Sequence, residues 1–420
     1  MPAAPEDRSY RALLAVPSLW RILLGSTIAR TAQAMVAIAL VLFTLTHYGS
    51  PILAGAVSFA SVFPGLLLSP VAGALLDRHG RARLVILDYF VSAAAMVTIA
   101  GLALANALPA WLLLVIATIS SITGIFSQTG LRSLFPLLVP EHLWERVNAT
   151  DSNGYVVATL LGPPAAGALV QILGGPLALG AIALVFAIAG ITLLRIPDPR
   201  PEIASTGSLL VDALEGLRYT WHNRVLRALG FAVSTINLST GALIILVPLI
   251  VLERLGGGPL LVGLVFAIQG VAGMLAALVV GRWRTEGRER AMIVRPTVLM
   301  AVATALLLVP IGLPGVILAF TIMGVLYGPY DVGMFTLRQR RTDPAWMGRA
   351  FAISMGFNYL GYPIGSFVGG VLAAVSIEAA IVFAIAAALA SAVFAITLLP
   401  ADEPAPEPAR RMASPEGGEP

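Results

Sequence analysis

Apolar positions along this chain come in long unbroken blocks separated by short polar segments, from residue 20 to residue 399. A hydrocarbon layer about 30 Å thick is crossed by roughly 20 helical residues at about 1.5 Å of rise each. Blocks at 20–46, 51–76, 84–105, 108–131, 147–172, 175–195, 226–252, 259–281, 291–312, 314–337, 349–374 and 377–399 meet that length. The pattern predicts an all-α integral membrane protein with twelve transmembrane helices. The apolar run near the N-terminus is too long for a signal-peptide core and lacks a small-residue cleavage site, so it reads as an uncleaved first helix.

The arginines orient the blocks. Basic residues concentrate in loops on the cytoplasmic side of a membrane. Arg8, Arg11 and Arg21 lie before or at the very start of the first block, and Arg78, Arg81 and Arg83 separate the second and third. Further clusters fall after the fourth, sixth, eighth and tenth blocks, the last of these with Arg338, Arg340, Arg341 and Arg349. Only Arg254 lands on the other side, and only Arg30 lies deep inside a span. This partition predicts both termini in the cytoplasm. The longest connection, 196–225, contains Leu210, Leu214, Leu217 and Tyr219 at helical spacing, an interfacial amphipathic helix. It divides the chain into a six-helix half at 1–195 and another at 226–400, followed by a Pro/Glu/Gly-rich tail at 401–420 expected to be disordered and cytoplasmic. Gly80-Arg81-Ala82-Arg83 is echoed by Gly287-Arg288-Glu289-Arg290, as an internal repeat of transporter halves would be.

Composition narrows the chemistry. Hydrophobic residues make up 58% of the 420 and charged residues 11%, against about 25% charged in soluble domains; mean hydropathy is +0.90. The net charge of +4 lies in short loops and reads as topology, not as a nucleic-acid surface. All 26 basic residues are arginine, so no P-loop lysine or Schiff-base lysine exists. There are 0 cysteines, which removes disulfides, thiolates and iron–sulfur ligation. His47, His79, His142 and His222 stand near loops or helix ends. No cofactor, metal, nucleotide or nucleic-acid partner is expected. A membrane-embedded prenyl or glycosyl transferase would need an acidic metal-binding cluster, and no DDxxD-like pair occurs.

The segment Gly73-Ala74-Leu75-Leu76-Asp77-Arg78-His79-Gly80-Arg81-Ala82-Arg83 resembles the signature loop between helices 2 and 3 of the major facilitator superfamily, with Ala82 replacing a usual second basic residue. LRSLFPLLVPEHLWERVNA, LLVDALEGLRYTWHNRVLRAL and MGRAFAI are similar to the branch of enterobactin exporters and macrolide efflux proteins, and the likeness covers nearly the whole chain. Gly162-Pro163-Pro164-Ala165-Ala166-Gly167 is similar to the glycine–proline motif of exporters, with Ala166 in place of one glycine. The resemblance implies a conformational latch of Gly73, Asp77, Arg78, Gly80, Arg81 and Arg83, and a central cavity lined by helices 1, 4, 7 and 10. Asp77 beside its arginines would exchange partners between two states, although the same charges also serve topology.

Arginine within a span costs about 2.5–3.5 kcal/mol on insertion scales, so Arg30 needs a partner or a wet cavity. Asp331 is the only acid well inside a span of the second half. The expectation is that Asp331 carries the coupling proton and that Arg30 tunes it or binds an anionic substrate; the alternative is a fixed structural ion pair. Gln33, Asn237, Gln269 and Asn358 are the cavity amides worth singling out, since an amide left unpaired in lipid is costly. Asp88 and Asp151 lie near span ends and read as interfacial caps or charge partners. The expected function is proton-coupled export of a small amphipathic molecule by a monomer in the bacterial inner membrane, the alternative being import or facilitated passage of a metabolite on the same fold.

Overall fold

Helices begin where the apolar blocks begin and stop at glycine, proline or a polar turn. A computed structural model describes residues 9–198, 209–283, 285–343 and 346–400, and within them the side chains other than those at 70, 73, 74, 77, 129, 209–213 and 347–352. The tail at 401–420 therefore lies outside the described residues. A short α1 (Tyr10–Ala15) precedes α2 (Leu19–Tyr48), α3 (Pro51–Ala60), α4 (Phe63–His79), α5 (Arg81–Leu104), α6 (Ala110–Thr129), the one-turn α7 (Phe135–Leu138), α8 (Trp144–Leu173) and α9 (Gly175–Leu193). Next come α10 (Leu209–His222), α11 (Arg224–Leu249) with a π-helical extension Ile250–Arg254, α12 (Pro259–Val280), α13 (Glu289–Ala305) and α14 (Leu313–Arg340). The last are α15 (Met347–Tyr359), α16 (Gly361–Val375) and α17 (Ile377–Leu398). Ser50, Asn223 and Ser376 accept backbone N–H bonds at the starts of α3, α11 and α17.

Among the described residues, 11 helices are long and apolar enough to cross a membrane. The expected span at 349–374 is not one of them. It is divided at Leu360 into α15 of 13 residues and α16 of 15, each too short alone. Pro363 has no N–H to offer the Tyr359 carbonyl, which breaks the ladder there. Bulky apolar side chains such as Trp111, Ile172, Leu184 and Val375 stand exposed, an outer surface suited to lipid and not to water.

The helices fall into two sets. In one, α2 packs on α8 and α9, α5 on α6 and α9, and α4 on α6; in the other, α11 packs on α16 and α17, α12 on α14, and α13 on α14 and α17. The sets meet along two seams, α8 with α12 and α3 with α16. Glycine makes both possible. A Cβ added to Gly263 would strike the Pro163 carbonyl and approach the Pro164 Cα to 2.7 Å, and one on Gly167 would strike the Pro259 carbonyl. Across the other seam, a Cβ on Gly370 would come within 2.5 Å of the Pro51 carbonyl and 3.0 Å of the Gly55 Cα. Backbone thus lies on backbone, as small residues permit between membrane helices. Gln171 of α8 ties the first seam by accepting the Leu260 N–H at the start of α12, at 3.1 Å.

Both seams lie toward the membrane face where α2 ends and α3 begins, the face poor in arginine. There Ile38 to Leu45 of α2 and Gly241 to Val251 of α11 are buried without a gap. At the opposite, arginine-bearing face, α4 meets α10 and α15. The amphipathic α10 docks on α11 and α15: the Tyr219 ring stacks on Trp346 with centroids 4.9 Å apart, and its hydroxyl accepts the Asp343 N–H at 3.0 Å. Leu214, Leu217 and Trp221 of the same helix stay exposed.

Candidate functional site

Arg30 is almost wholly enclosed, and its counter-charge is Asp151, not Asp331. Nη1 lies 2.8 Å from Asp151 Oδ1 and donates to the Asp151 carbonyl at 3.0 Å. Arg132 approaches the same carboxylate from the other side, Nε to Oδ2 at 2.7 Å. The Tyr155 ring, one helical turn from Asp151, takes both guanidiniums near its face, with Cζ of Arg30 and Arg132 at 3.8 and 4.7 Å from its centroid. Gly154 lets α8 come this close to α2, since a Cβ there would stand 2.6 Å from Thr27 Oγ1 and 3.2 Å from Arg30 Nη1. Asp151 pairs so deep because α8 starts at Trp144, which sets it two turns inside the helix, about 10 Å from the end.

In the second set, Asp331 of α14 is exposed and makes no ion pair among the described residues. Tyr359, the last residue of α15, is exposed as well. Beside them the Tyr327 hydroxyl meets Thr240 Oγ1 at 2.8 Å. Arg338, expected in a loop, is instead completely buried in the last turns of α14, which runs on to Arg340. Its guanidinium rests 2.8 Å from the Met355 sulfur and donates to the Asn358 side-chain oxygen when that amide is oriented to its neighbours.

The four expected amides separate. Gln33 donates to Ser127 Oγ at 3.0 Å, and Asn237 donates to the Asn358 carbonyl at 2.8 Å. Asn358 is buried beside Arg338, whereas Gln269 offers its backbone carbonyl to the packing at Gly324 and its amide joins neither cluster. Gly162 of the helix 5 motif abuts Ala34 of α2, while Pro163 and Gly167 form the seam with α12.

In the loop from α4 to α5, Gly80 sits at φ +98, a region that favours glycine, and its echo Gly287 at +68. A Cβ on Gly80 would collide with Asp198, whose carboxylate accepts the N–H groups of Arg81 at 3.0 Å and Arg83 at 3.3 Å. Asp198 therefore caps α5 from the far side of α9. The Arg81 guanidinium donates to the Ser133 carbonyl, and Arg78 is exposed. Gly73 and the side chain of Asp77 lie outside the described residues. Asp198→Ala is expected to cost about 0.5–2 kcal/mol as a lost cap, read as a lower melting temperature in detergent; an unshifted midpoint would make the cap idle.

Sequence reasoning passed over Asp151 as a cavity residue, and with it Tyr155, Arg132 and Arg338. The available signals were the one-turn spacing of Asp151 and Tyr155 and the Leu-Arg pair that ends two spans, Leu131-Arg132 and Leu337-Arg338. Among the described residues, no three His, Cys, Asp or Glu side chains gather as metal ligands.

Two helix sets sealed by glycine seams at one face, with charged clusters in the interior, define a polytopic membrane transporter. The chain belongs to the Major Facilitator Superfamily, whose family model matches residues 22–347 and 228–416. It is 35% identical over 378 residues to an uncharacterized transporter of this type from Sinorhizobium fredii, covering 88% of this chain and 92% of that one. Macrolide efflux protein A of Streptococcus pyogenes is 24% identical over 358 residues (83% and 87% covered), and multidrug efflux pump Tap of Mycolicibacterium fortuitum 25% over 364 (84% and 88%). Among solved structures, the nucleoside transporter NupG superposes with a TM-score of 0.71 at 12% identity, over 90% of this chain and 98% of that one. The protein is thus a multi-pass membrane transporter of the branch that contains efflux proteins.

Proposed function

We propose that the protein exports a small amphipathic molecule, drug-like or siderophore-like, across the bacterial inner membrane by proton-coupled alternating access, working as a monomer. In this reading the chain crosses twelve times, counting α15 and α16 as one broken span, with both termini in the cytoplasm. The halves at 1–195 and 226–400 rock about the gap between Tyr155 and Asp331, and Asp77 with Arg78, Arg81 and Arg83 latches the arginine-bearing face. The observation that carries the reading is Asp331, an acid inside a span, exposed and without a cationic partner among the described residues. A carboxylate so placed binds a proton or a cationic substrate group and releases it when the other face opens. Arg30, held by Asp151, is a fixed wall of the site and not a partner for Asp331. The likeness to macrolide and multidrug efflux proteins supports the outward direction.

Cells lacking their own pumps and expressing this protein are expected to accumulate less of at least one fluorescent amphipathic drug, an effect cancelled by an uncoupler. Reconstituted Asp331→Asn protein is expected to lose uphill transport and keep substrate exchange between equal pools. Uphill movement retained in Asp331→Asn would remove the coupling role, and raised accumulation in cells would turn the direction to import.

A further inference from the structure

Asp88 of α5 is completely buried, two turns from the arginine-bearing end of its helix, and takes part in no ion pair among the described residues. It is neither an interfacial cap nor a charge partner, the roles its position in the sequence suggests. Its surroundings are hydroxyls. Ser92 Oγ, one turn along the same helix, donates to Oδ1 at 3.4 Å, and the packed α6 brings the hydroxyls of Thr123 and Ser127 to the same neighbourhood. Oδ2 accepts no hydrogen bond at all.

Each hydroxyl has a single hydrogen to give. Thr123 Oγ1 directs its own to the Ser120 carbonyl at 3.2 Å, and Ser127 Oγ directs its own to the Gly124 carbonyl at 3.1 Å. Ser127 also accepts from Gln33 Nε2 at 3.0 Å. Asp88 is thus left with one long hydrogen bond, from Ser92, and one carboxyl oxygen with no partner. The other ionisable groups nearby do not supply a counter-charge. Arg30 on α2 and Arg132 are both engaged by Asp151. Tyr89 and Tyr155 bring no positive charge, α6 and α9 contain no charged residue, and the charges of α4 (Asp77, Arg78, His79) stand at its C-terminal end. Burying an uncompensated carboxylate in such a place is prohibitively costly.

We infer that Asp88 is a second proton-binding site, a carboxylic acid kept neutral in this conformation by its burial without a counter-charge and with one carboxyl oxygen unbonded. Gln33 donates to Ser127 and so ties this part of α6 to α2, one turn from Arg30, so a movement of α2 that withdraws Gln33 alters the polar surroundings of Asp88. The assignment is independent of the role given to Asp331, because it rests on a different half of the protein and a different set of contacts.

Infrared difference spectroscopy of the full-length protein in lipid nanodiscs reads this directly. A protonated carboxyl group in a dry site gives a C=O stretch that moves on exchange into heavy water. The expected result is such a band at neutral pH in the wild type and in Asp331→Asn, and its loss in Asp88→Asn, which keeps the shape of a neutral acid. A band unchanged in Asp88→Asn, or no such band in the wild type, would overturn the assignment. Should Asp88→Asn not fold, Ser92→Ala removes the hydrogen bond to Oδ1 and leaves the C=O unbonded. A band shifted upward in frequency then supports the inference, and an unmoved one defeats it.

Discussion

Asp151→Ala is expected to abolish most of the correctly folded protein, the largest effect of any single change at the interior clusters. The substitution leaves Arg30, 11% exposed, without its carboxylate and deprives Arg132 of the same partner. Removing one member of a buried pair costs about 3–5 kcal/mol, because the other charge stays behind. Typical folding stabilities are about 5–15 kcal/mol, so that loss is a large fraction. The double change Arg30→Ala with Asp151→Ala removes the stranded charge and is expected to recover part of the loss. The measurement is the fraction of monodisperse protein in detergent and its melting midpoint across the four combinations. An Asp151→Ala variant as stable as the wild type would show that the pair is solvated and dispensable.

Gly263→Leu is expected to reduce transport by about tenfold while leaving membrane insertion intact. Its first added carbon already strikes the Pro163 carbonyl and Pro164 Cα, and overpacking of this kind costs about 1–3 kcal/mol. That cost falls on the state in which the α8–α12 seam is closed. A tenfold change in a two-state equilibrium takes about 1.4 kcal/mol, within that range, so the closed population drops by about that factor. The chain contains 0 cysteines, which allows a single reporter, Ser366→Cys in the α3–α16 seam, to be labelled from the arginine-poor face. Faster labelling in the Gly263→Leu background is the expected result. Equal rates would mean that the two seams do not open together.

Span positions were legible because each membrane crossing requires its own uninterrupted apolar block, and hydropathy reports length directly. The division at Leu360 was not, because Gly361 and Pro363 sit inside a block that is apolar on both sides. Charged residues misled where distance from a loop stood in for depth. Arg338 reads as a loop residue beside Arg340 and Arg341, yet α14 carries it inward under α15. Asp151 and Asp88 read as end residues, although α8 and α5 start early enough to bury both by two turns. The pairing of Arg30 follows from the approach of α2 to α8 at Gly154, a tertiary fact that no local pattern records. What the sequence did expose was the need itself: an arginine inside a span had to have a partner.

The glycine seams also bear on how quickly the two sets can separate. Where side chains interlock, every knob leaving its hole must find another rotamer, and those searches slow the motion. Along α8–α12 and α3–α16, carbonyl oxygens and Cα atoms face one another instead. The surfaces part as smooth rods, with little side-chain reordering, so the joint has low internal friction. The pace of opening is then governed by the wetting of newly bared backbone, a property of the surrounding solvent and lipid as much as of the protein.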